Sequence, residues 1–77
     1  MYASAVTAAG NIAVVQETRF RLMVDDGRGL LLTLSRSANV TPEDLQRFHR
    51  EDCRVLVHYT GEPGLASAVA TRVEPLS

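Results

Sequence analysis

Lysine is absent from this 77-residue chain, cysteine occurs once, and the aromatics are only two tyrosines and two phenylalanines. Each scarcity removes possibilities. The lone Cys53 rules out a disulfide within one chain and fits a reducing compartment, so a cytoplasmic setting is expected. No apolar run approaches the roughly 18 residues that a membrane-spanning helix needs. Met1 to Gly10 is small and apolar but lacks the basic start and continuous apolar stretch of a signal peptide. Charge is equally thin. Nine acids against eight bases leave a net −1, too little for a strong long-range pull toward nucleic acid. There is no internal repeat and no low-complexity segment.

A chain of this length is one domain, and it buries only about 60–65% of the surface its unfolded form exposes. Residues 1–9 read as a loose N-terminal arm and 10–77 as a single domain. Within the domain, strand-like runs are expected at Asn11 to Glu17, Arg19 to Val24, Leu30 to Ser35, Cys53 to Tyr59 and Ala66 to Val73. The second run alternates almost cleanly, with Phe20, Leu22 and Val24 facing inward and Arg19, Arg21 and Met23 outward. In the third, Leu30, Leu32 and Leu34 face inward, while Leu31, Thr33 and Ser35 face outward. In the fourth, Val55, Val57 and Tyr59 oppose Arg54, Leu56 and His58.

Asp25-Asp26-Gly27 joins the second and third runs. Asp-Gly favours a type I′ hairpin turn, and Gly29 close by leaves a bulged or longer loop open. One helix is expected from Pro42 to His49. Thr41 can cap it, Pro42 suits its first position, and Glu43 and Asp44 complement its dipole. Leu45 and Phe48, one turn apart, would then plug the end of a barrel. Gly61-Glu62-Pro63-Gly64 is a strong turn before the last strand.

Three strands, a helix and two strands in this order resemble the OB-fold superfamily over about residues 10 to 74. The resemblance implies an all-β, five-stranded OB-like barrel with one short helix between strands three and four. An SH3-like small barrel is the competing architecture, which the helix position disfavours. The aromatic RNA-binding signature of cold-shock proteins is missing. Val55-Leu56-Val57-His58-Tyr59-Thr60-Gly61 is similar to a stretch of the small hydrogenase-maturation chaperones, also OB-like barrels. Those chaperones depend on a cysteine directly after the initiating methionine. Tyr2 stands there in this chain, so their function is not carried over.

OB folds bind ligands mostly through the outer face of strands two and three. Arg19 and Arg21, two residues apart on one strand, project the same way and could follow a phosphate backbone. Arginine also offers a planar, bidentate donor, although an all-arginine set equally follows from GC-rich coding. The expected function is a non-catalytic module that binds single-stranded nucleic acid or nucleoprotein through Arg19, Arg21, Arg28, Thr33 and Arg36. The alternative is a protein-interaction or accessory subunit, including a homodimer, that uses the outward aliphatics Val15, Met23, Leu31 and Leu56. No cofactor and no metal are expected. His49, Cys53 and His58 carry zinc-ligand chemistry but fit no standard spacing, and Ser35 and Ser37 lack the glycines of a nucleophile elbow.

Overall fold

A computed structural model describes residues 6–61 and 68–76. Its elements are β1 (Val6–Gln16), β2 (Arg19–Val24), β3 (Gly29–Leu34), α1 (Pro42–Arg50), β4 (Arg54–Thr60) and β5 (Val69–Pro75). The strands close into a barrel in the order β1-β2-β3-β5-β4. Every pairing is antiparallel except the short β3–β5 seam, where Thr33 meets Val69 and Leu34 meets Ala70. The chain is therefore an all-β, five-stranded OB-like barrel with one helix between β3 and β4.

β1 does the work of two strands. Its first half, Val6 to Asn11, pairs with β4, and Gly10 to Gln16 pairs with β2. Gly10 lies opposite both Val24 and Val55, at the point where the strand passes from one neighbour to the other. This corrects the expected arm: residues 6–9 are strand, with Ala8 buried in the core, while residues 1–5 lie outside the described residues. The pairing comes from β4, some fifty residues away, and alanines have too little β preference to announce it locally.

A bulge follows. Ile12 sits opposite Leu22 and Val14 opposite Arg21, leaving Ala13 as the extra residue. β1 then turns into β2 through Glu17 at φ 56 and Thr18. The β2–β3 connection takes the bulged form, not type I′. Gly27 N–H donates to the Val24 carbonyl (2.9 Å) and Val24 N–H to the Arg28 carbonyl (2.8 Å). Within this connection only Gly27, at φ 97, adopts a positive φ.

Thr41 caps α1 as expected, and the cap is reciprocal. The Asp44 N–H donates to Thr41 Oγ1 (3.2 Å), and the Thr41 N–H donates to Asp44 Oδ2 (2.9 Å). At the other end, the Cys53 N–H reaches the Phe48 carbonyl and the Asp52 N–H the His49 carbonyl, with Asp52 at φ 52. Between these stops the helix buries Leu45 and Phe48 in the core. The core's centre is Phe20, Leu22, Leu32, Leu45, Val55, Val57 and Val73, all essentially inaccessible. β5 begins at Val69. The expected start at Ala66 falls outside the described residues.

The β3–β5 seam is too short to occupy the whole edge of β5. Asn39, in the loop before α1, takes over further along. Its Nδ2 donates to the Val73 carbonyl (2.9 Å), and its Oδ1 accepts from the Val73 N–H (2.8 Å). One side-chain amide thus stands in for a strand partner.

Candidate functional site

Cross-strand register lays out the outer face of β1, β2 and β3 as three rows. Gln16, Arg19 and Thr33 form one, Val14, Arg21 and Leu31 the next, and Met23 and Gly29 the third. With no side chain at Gly29, Met23 and Arg21 both lean over it: a Cβ there would lie 3.5 Å from Met23 Sδ and 3.8 Å from Arg21 Cδ. Val14, Met23 and Leu31 are 49%, 41% and 42% exposed, so Arg21 is bracketed by aliphatic surface open to solvent. Val14, Gln16, Arg19, Arg21 and Leu31 also line a shallow depression of about 290 Å3.

The barrel's arginines fall into two groups. Arg54 grips Asp25 through Nε (3.1 Å to Oδ2) and Nη2, Arg47 holds Asp44 (3.2 Å), and Arg72 holds Glu74 (2.5 Å). Arg28 holds Asp26 at 2.7 Å. Among the described residues, Arg19, Arg21, Arg36 and Arg50 have no carboxylate within ion-pair distance. Arg50 sits in the last turn of α1, where the helix dipole favours a cation. The other three share one side of the barrel. The Leu34 N–H donates to the Thr18 carbonyl at 2.7 Å, which sets the end of β3, and Arg36 just past it, beside the turn that carries Arg19.

Carboxylate titration follows this pairing. The Arg54 hydrogen bond holds the Asp25 carboxyl below its ordinary value. The Arg28 backbone amide, helped by the guanidinium, does the same for Asp26. Arg28, expected to meet phosphate, is therefore already engaged by its neighbour.

Arg19, Arg21 and Thr33 share the outer face of β2 and β3, with Thr33 half-buried between Arg19 and Val69, and Arg36 lies just past the end of β3 beside Thr18. The four aliphatics do not form one patch. Val15 is partly buried against the core, because the extra residue at Ala13 inverts the alternation beyond it. Leu56 is half-buried on the other side of the barrel, paired with Ala9 and Glu74. Met23 and Leu31 remain, joined by Val14. The sequence reading missed Val14 because four consecutive apolar residues, Ile12 to Val15, give no period to follow.

Phe20, Phe48 and Tyr59 are buried, so no aromatic is offered to a ligand among the described residues. The possible zinc ligands are dispersed. His49 Nδ1–H donates to the Ile12 carbonyl (2.8 Å), Cys53 Sγ contacts the Arg54 carbonyl (3.5 Å), and His58 Nε2 lies 3.7 Å from Glu74 Oε1. Among the described residues no three such groups converge, and no helix is long and apolar enough to cross a membrane. Comparison with known families, with curated proteins and with solved structures found no match to this chain.

Proposed function

We propose that this chain is a non-catalytic member of the OB-fold superfamily that binds single-stranded nucleic acid across β1, β2 and β3. One observation carries the reading. Arg28, Arg47, Arg54 and Arg72 each hold a carboxylate, whereas among the described residues Arg19, Arg21 and Arg36 have none and their backbone lies along one side of the barrel. A chain of net charge −1 thereby keeps a local row of three free cations. Phosphates spaced along a strand complement such a row. Val14, Met23 and Leu31 supply apolar ground for bases, and the arginine planes themselves can stack on them.

With no exposed aromatic among the described residues, affinity rests on the phosphates and carries little base preference. Three contacts to a single strand predict a slope of log K against log salt of about −2. Replacing Arg19 and Arg21 together by alanine should weaken binding and bring the slope to about −0.7, as followed by fluorescence anisotropy of a labelled mixed-sequence oligonucleotide. A double variant with the parent's slope would sink the proposal.

The exposure of Val14, Met23 and Leu31 favours a second reading, a protein partner or a second copy on the same face. Under that reading the arginine pair is dispensable and Leu31→Glu is the disabling change.

A further inference from the structure

Beyond the arginine row lies a second depression, of about 330 Å3, between the β1–β2 turn and the loop from β3 to α1. Thr18, Leu34, Arg36, Ala38, Val40 and Pro42 line it, together with Ser35, Asn39 and Thr41. The volume is at the lower end of clefts that hold small ligands, about 300–1,000 Å3. Its floor is apolar: Leu34 is buried, and Ala38 and Val40 pack on the core.

Most polar groups around that floor are already committed. Asn39 holds both backbone groups of Val73. The Thr41 hydroxyl belongs to the helix cap, and the Ser35 and Ser37 hydroxyls bond each other at 3.1 Å. Among the described residues, the polar lining side chains that make no hydrogen bond are Thr18 and Arg36. An apolar floor with one hydroxyl and one guanidinium at its rim matches a ligand that is planar, apolar on its face and attached to an anion. A nucleotide has that chemistry.

We propose that this depression receives one base of a bound single strand, with Arg36 on the adjoining phosphate and the Thr18 hydroxyl at the base edge. The inference rests on the nucleic-acid reading above. It goes further in giving a barrel with no exposed aromatic among the described residues a place to bury a base, and in ordering the strand from Arg21 past Arg19 to Arg36. The Thr18–Arg19 peptide joins the two regions, since Arg19 lines the first depression and Thr18 the second.

The test compares a labelled single strand with one of equal length whose sugars carry no bases, which keeps every phosphate. The base-bearing strand should bind at least about fivefold tighter, the lower end of what one stacked base contributes. Ala38→Met, which fills the depression, should remove about that factor for the base-bearing strand. The abasic affinity and the salt slope should stay unchanged. Should Ala38→Met lose both strands through misfolding, Thr18→Val at an exposed turn position decides. It should weaken the base-bearing strand about threefold and leave the abasic strand unaffected. Equal binding of the two strands by the parent protein, with its salt slope intact, overturns this inference and leaves the broader reading standing. No binding of either strand overturns both.

Discussion

Gly10 is occupied space. A Cβ at this position would lie 2.0 Å from the Met23 carbonyl oxygen and 2.9 Å from the Val24 Cα. Those are backbone atoms of β2, so relief requires moving strands apart, not rotating a side chain. Gly10→Ala should cost about 3 kcal/mol, the upper end of ordinary overpacking, seen as a lower urea midpoint with an unchanged m-value. A variant as stable as the parent would mean that β1 and β2 do not approach as closely as described. In the sequence, Gly10 marks only the end of the small, apolar N-terminal stretch. Its true role depends on Met23, which meets it only after a hairpin closes. Asn39 was similarly silent: nothing in Ser-Ala-Asn-Val-Thr shows that an amide side chain will occupy the open edge of β5.

Elements with a strict period were legible. β2, β3 and β4 alternate residue by residue, and their inward sets are buried, except that Val24 at the end of β2 is only partly so. The helix was legible because Thr41, Pro42 and Asp44 are start signals with a local mechanism. β1 was legible only in part, because its alternation slips at Ala13. The bulge makes a direct test of its own. Val15→Asp should destabilise by roughly 1–3 kcal/mol, as a charge placed against the core, whereas Val14→Asp should stay within about 0.5 kcal/mol. Equal effects in chemical denaturation would contradict the bulge. For the candidate site, the arginines of β2 were found by spacing alone. The loss of Arg28 to Asp26 and of Val15 to the core became visible only when turn and bulge geometry were in place.

Over the whole molecule, the paired arginines Arg28, Arg47, Arg54 and Arg72 are spread over the β2–β3 turn, α1, β4 and β5, and Arg19, Arg21 and Arg36 cluster around β2 and the end of β3. The paired acids and the one at the helix cap titrate low. Arg54 depresses Asp25, the Arg28 amide Asp26, the Thr41 amide Asp44, and Arg72 Glu74. The folded state therefore binds fewer protons than the unfolded chain around the ordinary carboxyl values of 3.8 and 4.5. Stability from these groups is present above those values and is lost as pH falls through the lower folded ones. Thermal melts should drop below about pH 4, modestly because the groups are exposed, and Asp44→Asn should shrink the drop. An identical acid profile in that variant would remove the helix cap from the account. Binding across β1, β2 and β3 is checked by a ¹⁵N-HSQC titration with a mixed-sequence single-stranded oligonucleotide at low salt. Shifts are expected at Val14, Gln16, Arg19, Arg21, Leu31, Thr33 and Arg36, with β4 and the outer face of α1 unmoved. A spectrum that stays unchanged, or uniformly broad lines before any oligonucleotide is added, would contradict such binding, the latter pointing to self-association through Val14, Met23 and Leu31.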